Sequence, residues 1–584
     1  MRSVLSYAVF MCCAPCLLAA DTGPAMPDIS DGWKFSLGDD DQWSDPALDD
    51  SQWKSISVGS PWEQQGHGGY DGFGWYRLHV RIPSEFQDDP DLRQFGFLKL
   101  TLGKIDDVDQ TWWNGQLIGE TGQMPDSYTT QWSTGRTYRV PARLIRWDAD
   151  NVVAVRVFDG ASEGGMYAGP YGLRVASWQD FVAIKISMGR GDGIFLEPAG
   201  LPINASIYNE MSKQLVGRVQ WIVETDKGEQ LATESSEVVV PVRGEQSVEC
   251  DFSPTVPGFY RVKCTLKGQT TEKVVTESRV VGYRPEEVQS TLTQEDDFDQ
   301  FWKQTRDELA LVRPEFKLTP KPELATATHD VFEVSMRSLG GVRVGGWYER
   351  PKSRGPHPAL LRVPGYTGNM QPSGTSDQLA VFSFNIRGHG NSQQDVRGTP
   401  ADFWVRGLDD EHGYFYRGAY ADCVRAVDFL ASRDEIDVSR IAVAGGSQGG
   451  GLSLATAALD QRISLCAPDI PFLCNWVRYF KTSSWPEIDD WIEAKPHRSR
   501  EKTLRTMSYF DALNLADRIR CPVFLGLGLQ DGVCPPVTIF AVYNRLAVPK
   551  EYRVYPEAGH WVEASHYKES RQWMLRHFAM SPSE

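Results

Sequence analysis

The chain has 584 residues, 41% of them hydrophobic and 23% charged, with a formal net charge of −17 and a pI of about 5.2. At roughly 100–200 residues per domain, three or more domains are expected. The acidic balance argues against nucleic acid or an anionic membrane surface as partner, because like charges repel, and it leaves a neutral substrate open.

The first element is a signal peptide, predicted over residues 1–20. Arg2 supplies a positive start, Val4 to Leu18 is mostly apolar, and Leu18-Ala19-Ala20 offers small residues before Asp21. A secreted or periplasmic protein follows. The apolar run is short for a bilayer span, and no later stretch is long and apolar enough, so no membrane span is expected after cleavage. Cys12, Cys13 and Cys16 leave with the signal. Cys250, Cys264, Cys423, Cys466, Cys474, Cys521 and Cys534 remain, an odd set. Cys250 and Cys264 lie on neighbouring strand-like runs and either pair or stay as two buried thiols. No cysteine spacing resembles a zinc site.

Residues 21–180 read as a β-rich domain. Ten of the nineteen tryptophans fall here. Short alternating runs, Trp75-Tyr76-Arg77-Leu78-His79-Val80 and Val152-Val153-Ala154-Val155-Arg156-Val157, are punctuated by turn pairs such as Asn114-Gly115 and Asp71-Gly72. Several ordered motifs resemble the sugar-binding jelly-roll domain of glycoside hydrolase family 2. They are Asp49-Asp50-Ser51-Gln52-Trp53, Pro61-Trp62, Gly74-Trp75-Tyr76-Arg77, Trp113-Asn114-Gly115-Gln116-Leu117-Ile118-Gly119 and Asn151 to Val157. The resemblance implies a galactose-binding-like β-sandwich. Its tryptophans serve mainly as packing, and an exposed one would be able to stack on a sugar face.

Residues 181–284 contain further strand-like runs, Arg218 to Val223, Val238 to Val240 and Tyr260 to Cys264, with a Pro257-Gly258 turn. Their length and spacing predict an immunoglobulin-like sandwich. No titratable cluster stands out, and a spacer is the expectation. Tyr283-Arg284-Pro285-Glu286-Glu287 reads as a linker. Over 285–584 a helical pattern opens at Asp297-Phe298-Asp299-Gln300-Phe301-Trp302, and apolar strands then alternate with helices, which predicts a mostly parallel α/β sheet.

The chemistry concentrates at Gly445-Gly446-Ser447-Gln448-Gly449. Arg440 to Ala444 reads as a buried strand and Leu452 to Leu459 as a helix. Strand, tight turn and helix around G-x-S-x-G form a nucleophile elbow. A serine hydroxyl needs a base within hydrogen-bond reach, and the base needs an orienting acid. The strand Pro522 to Gly528 runs into Asp531, the acid candidate. The strand Glu551 to Tyr555 runs into the loop ending at His560, the base candidate, with His566 as its rival. The backbone N–H of Gln448 is one oxyanion donor, and that of Tyr366, in the loop Pro364-Gly365-Tyr366-Thr367-Gly368 after the strand Ala359 to Val363, is the other.

From about residue 290 to 580 the sequence resembles the acetyl xylan esterase and cephalosporin-C deacetylase family, carbohydrate esterase family 7. The ordered matches are Asp297-Phe298-Asp299, Gly365-Tyr366-Thr367-Gly368, Arg387-Gly388-His389-Gly390-Asn391-Ser392, Tyr414-Phe415-Tyr416-Arg417, the elbow, Pro468-Asp469-Ile470-Pro471-Phe472, Asp531-Gly532-Val533-Cys534-Pro535-Pro536 and Gly559-His560. The resemblance implies an α/β-hydrolase with a Ser-His-Asp triad, no metal and no cofactor, removing acetyl groups from carbohydrate. Pro364 stands where the family usually has His, His389 where it has Gln, and Trp561 where it has Glu. None touches the triad; they bear on substrate range and on assembly, so a homo-oligomer stays open. Arg387 reads as a structural brace to a carboxylate. Two competing readings remain: a serine exopeptidase of the prolyl oligopeptidase kind, and a non-catalytic glycan-binding protein.

Overall fold

The computed structural model describes residues 25–160, 164–197, 203–269, 271–374, 379–398 and 400–580. The expected signal peptide lies outside them. Among the described residues no helix is long and apolar enough to cross a membrane. Contacts divide the chain into two compact units. The first runs to Ala183 and takes in Tyr208–Leu215 and Val240–Gly244; the second comprises Ile184–Ile207, Val216–Val239 and Glu245–Glu584.

The first unit is built on antiparallel strands. A six-stranded sheet runs in the order Lys54–Ser55, Lys34–Leu37, Gly72–Arg81, Asp150–Asp159, Val108–Trp113, Gln116–Thr121, and a three-stranded sheet in the order Gly135–Pro141, Phe97–Asp106, Gly165–Val175. The two share an apolar core that includes Trp33, Trp62, Tyr76, Leu98, Leu100, Trp113 and Val155. Asn114 and Gly115 both have positive φ (48° and 81°) at the tip of the Val108–Trp113 and Gln116–Thr121 hairpin, as the tight primed turn requires. Asp50 and Arg77, both in the family 2-like motifs, are structural. Burial works against the Asp50 carboxylate, but hydrogen bonds from Lys34, Arg77 and His79 hold it well below the usual range.

The next region also forms two sheets, ordered Val182–Ser187, Ile203–Asn209, Gly244–Cys250 and Ile194–Phe195, Val274–Tyr283, Gly258–Gly268, Leu215–Thr225, Gln230–Val240. Burial alternates along Leu215–Thr225, the period of a strand with one face inward. Cys250 and Cys264 are two free, buried thiols, and burial pushes each up to about 12. The stretch read as a linker is fastened: the Asn544 side chain donates to the carbonyls of Pro285 and Val288 at 2.8 and 3.0 Å.

The C-terminal part is a nine-stranded sheet. In chain order its strands are β1 (Lys317–Pro320), β2 (His329–Arg337), β3 (Arg343–Pro351), β4 (His357–Arg362), β5 (Ala380–Asn385), β6 (Ile436–Gly446), β7 (Ile463–Asp469), β8 (Val523–Gly528) and β9 (Lys550–Tyr555). The spatial order is β1-β2-β3-β5-β4-β6-β7-β8-β9. From β5 to β9 neighbours are parallel, while β1 to β3 join antiparallel. Strands β5 and β8 are buried throughout, as expected where helices cover both faces. The helices include α1 (Phe298–Leu311), α2 (Phe415–Ala431), α3 (Gln448–Leu459), α4 (Pro536–Arg545) and α5 (Ala564–His577). In such sheets the carboxyl ends of the strands form the crevice where ligands bind. Ser447 follows β6, Asp531 follows β8 and His560 follows β9, all at that edge.

Candidate active site

Strand β6 ends and α3 begins on either side of one residue, Ser447, whose backbone sits at φ 58°, ψ −121°. A non-glycine residue in that region is strained and is held there only by its surroundings. Those surroundings are specific. The Ser447 N–H donates to the Asp469 carbonyl at 2.9 Å, and its carbonyl accepts from Phe472 N–H at 2.9 Å. The flanking glycines are required: a Cβ on Gly445 would lie 2.7 Å from the Val363 carbonyl oxygen, and one on Gly449 would lie 2.6 Å from the same atom. The turn thus lifts the serine side chain out of the sheet.

His560 meets it there. Its Nε2 lies 2.9 Å from Ser447 Oγ, and its Nδ1 lies 2.8 Å from Asp531 Oδ2. With the proton on Nδ1, that nitrogen donates to the carboxylate and Nε2 accepts from the hydroxyl. The other Asp531 oxygen, Oδ1, accepts from the N–H groups of Val533 and Cys534, each at 2.8 Å. Both carboxylate oxygens are therefore fixed, and the side chain is fully shielded while that of His560 stays 29% exposed. His566, the rival base, pairs elsewhere: its Nε2 is 2.7 Å from Asp469 and its Nδ1 is 2.9 Å from Tyr555 OH.

Gln448 directly follows the serine, and Tyr366 lies in the loop that the Gln448 side chain reaches. Gln448 opens α3, so its N–H has no partner within the helix. Its side chain, which sequence reasoning missed, ties the two loops together. Nε2 donates to the carbonyls of Pro364 and Gly365 at 3.4 and 3.3 Å, and Oε1 accepts from Tyr416 OH at 2.6 Å. Only a tertiary view reveals this, since 32 residues separate Tyr416 from Gln448. The Tyr366 ring packs on Trp404 and Trp485, and both indoles pack on Phe472. Tyr366 OH, Trp404 Nε1 and Trp485 Nε1 are buried donors without a hydrogen-bond partner. Buried donors of this kind are costly unless a ligand or water meets them. Arg387 is the brace expected of it, bonded twice to Asp422 through Nε and Nη2 at 2.8 and 2.7 Å.

Among the described residues, Asp531, Cys534 and His560 are a trio whose potential metal-ligand atoms lie within 4.8 Å of one another. The trio does not suit a cation. Asp531 and His560 already use both oxygens and both nitrogens on protein partners, and burial pushes the Cys534 thiol well up, which keeps it protonated.

Comparison with known proteins finds an esterase family over the C-terminal half of the chain. Residues 280–577 match the acetyl xylan esterase (AXE1) family. Acetyl esterase Axe7A of Xylanibacter ruminicola is 28% identical over 340 residues, covering 55% of this chain and 74% of that protein. Among solved structures, an acetyl xylan esterase from Paenibacillus sp. R4 is 35% identical over 50% of this chain and 98% of its own, with a TM-score of 0.48. A β-glucuronidase 2 of Bacteroides uniformis aligns over 96% of this chain and 58% of its own at 12% identity and a TM-score of 0.36. On the extent of the family match, the chain belongs to the acetyl xylan esterase family and is a carboxylic-ester hydrolase.

Proposed function

We propose that this protein is a secreted carbohydrate O-acetylesterase that cleaves acetyl esters on polysaccharides and oligosaccharides through an acyl-enzyme. Ser447 is the nucleophile, His560 the general base and then acid, and Asp531 the group that orients and stabilises the imidazolium. The observation that carries this reading is the unbroken chain from Asp531 Oδ2 through His560 to Ser447 Oγ, with links of 2.8 and 2.9 Å, at a strained turn. The proposal extends to the fold: a jelly-roll domain over 21–180, an immunoglobulin-like domain over 181–284 and an α/β-hydrolase domain over 285–584, exported by residues 1–20.

As Ser447 Oγ attacks the acetyl carbonyl carbon, His560 Nε2 takes its proton. The carbonyl oxygen becomes an oxyanion between the N–H groups of Tyr366 and Gln448. Collapse breaks the ester bond, and His560 returns the proton to the leaving sugar hydroxyl. Water then attacks the acetyl-serine by the same route and releases acetate. Each oxyanion donor lowers the barrier by roughly 3–4 kcal/mol. In this reading the partly buried rings of Tyr366 and Trp485, backed by the buried Trp404, supply an apolar face suited to a small acyl group.

Acetate release from acetylated xylan and from simple acetylated sugars, measured for the wild type and Ser447→Ala side by side, tests the assignment. Serine-dependent release from either supports it, and the ratio between them identifies the preferred size of substrate. A folded wild type that frees no acetate from any acetyl ester would overturn it.

A further inference from the structure

The second β region was expected to act as a spacer, yet its contact with the segments holding Asp531 and His560 is more specific than a spacer needs. Strand Val274–Tyr283 pairs along one side with Gly258–Gly268. On its other side Ile194–Phe195 covers only Gly282 and Tyr283. Backbone groups nearer Val280 therefore face out of the sheet, and an edge of this kind has to be met by something.

The side chain of Gln530 meets it. Its Oε1 accepts from the Val280 N–H at 2.8 Å, and its Nε2 donates to the Val280 carbonyl at 3.1 Å. The amide thus stands in for one peptide unit of an additional strand. The same Nε2 donates to the Pro556 carbonyl at 2.8 Å, and the Gln530 backbone N–H donates to the Ala558 carbonyl at 2.8 Å. Gln530 immediately precedes Asp531, while Pro556 and Ala558 lie in the turn that ends at His560. One side chain joins the acid turn, the base turn and the sheet edge. Neighbouring contacts point the same way. Arg279, next to Val280, reaches Glu557 at 3.4 Å. A Cβ on Gly193 would come within 2.5 Å of Leu529 Cδ2. Arg478 binds Asp226 through two hydrogen bonds of 2.7 and 2.6 Å.

The geometry points to Gln530 as a positioning residue for ester hydrolysis: its amide locks the Asp531 and His560 turns to the edge of the second β region, which makes that region part of the catalytic unit. This rests on the Ser447–His560–Asp531 reading above. Gln530 touches neither the ester nor the transferred proton. It acts by fixing where the carboxylate and imidazole stand, and a misplacement of about 1 Å at such a site lowers the rate up to roughly a hundredfold.

The test uses the full chain with Gln530→Met, which keeps the length of the side chain and removes its three hydrogen bonds. Hydrolysis of p-nitrophenyl acetate is followed across pH, together with thermal melting, for the wild type, Ser447→Ala and Gln530→Met. The expected result is a kcat about ten- to a hundredfold lower with KM nearly unchanged. The acid limb of the kcat/KM profile should also move to lower pH, because an imidazolium less well held by Asp531 loses its proton more readily. A purely structural role would leave that limb in place. Gln530→Glu, which still accepts from the Val280 N–H, should recover part of the loss. If Gln530→Met does not fold, Gln530→Glu and Arg279→Ala are read by the same two criteria. A folded variant with kcat within about twofold of wild type, or with lower kcat but an unmoved acid limb, overturns the inference. A wild type inactive in the same assay would instead strike the esterase reading itself.

Discussion

Two histidine–aspartate pairs lie near the carboxyl ends of β7, β8 and β9, the histidine of the second being on α5. In one, His560 binds Asp531 at 2.8 Å; in the other, His566 binds Asp469 at 2.7 Å. By distance the two are alike. They differ in what the second ring nitrogen faces and in what reaches the ring. His560 turns Nε2 to a serine and keeps 29% of its side chain exposed, whereas His566 turns Nδ1 to Tyr555 OH and is fully buried. The His566 ring also stacks on Phe524. Burial pushes the Asp469 carboxyl up against the pull of His566, and the Asp469 carbonyl holds the Ser447 N–H. On the proposed mechanism, the same two residue types thus serve chemistry in one pair and a sealed brace in the other. The deciding feature is a nucleophile and an open path, since a carboxylate beside a histidine is common to both.

The contrast is broken most directly at the serine. Ser447→Ala should lower kcat for an acetyl ester about a millionfold, with the fold retained; appreciable turnover by the pure variant would remove the exposed pair from the chemistry. Asp531→Asn comes next, at about ten-thousandfold in kcat, because the amide favours the wrong imidazole tautomer. Its melting temperature should stay near that of the wild type. His566→Leu should behave oppositely. It leaves the Asp469 carboxyl buried without its partner and should cost about 3–5 kcal/mol of stability, read as a lower denaturation midpoint, while the folded fraction hydrolyses ester at the wild-type rate per molecule. A catalytic defect without a stability loss would dissolve the distinction.

The smallest effect lies in the first unit and sharpens the comparison from outside the site. Burial opposes the charged form of His79, yet Asp150 and Asp50 raise its pKa above the ordinary value. The stability it adds is complete below the unfolded value of about 6.5 and is lost as pH rises through the folded value. Amide exchange in strand Gly72–Arg81, corrected for intrinsic rates, should show weaker protection as pH rises through that window, with the slope gone in His79→Gln. His79 is partly exposed, so the change will be modest and salt-sensitive.

Much of the site was legible in the sequence because its parts sit where chain order and local pattern reach them. Ser447 lies between a buried strand and a glycine-led helix. Asp531 follows a buried apolar strand and His560 follows the mixed-polarity strand Lys550–Tyr555 at the same edge, and all three came together at hydrogen-bond distance. The alternating runs around Trp75 and Val152 fell inside the strands Gly72–Arg81 and Asp150–Asp159. The helix read from Leu452 begins at Gln448 instead, because glycines that weaken a helix signal are what let its first turn pass the backbone of Val363. Less visible were the side-chain amides. Gln448 and Gln530 work through partners far away in sequence, Tyr416 and Val280, and a glutamine at a loop end has no periodicity that announces it. The apparent linker was opaque for a similar reason: its anchor, Asn544, lies on α4.

Strand Val274–Tyr283 bears on how a gene of this kind can be cut and joined. The family match opens at residue 280, inside that strand. A fragment trimmed to the match would encode Ser447, Asp531 and His560 and yet begin halfway along the strand that Gln530 grips, without Gly258–Gly268 to hold it. If Gln530 positions the site as proposed, a fragment meant to hydrolyse esters has to start upstream of residue 280 and keep Gly258–Gly268 with the strand it pairs.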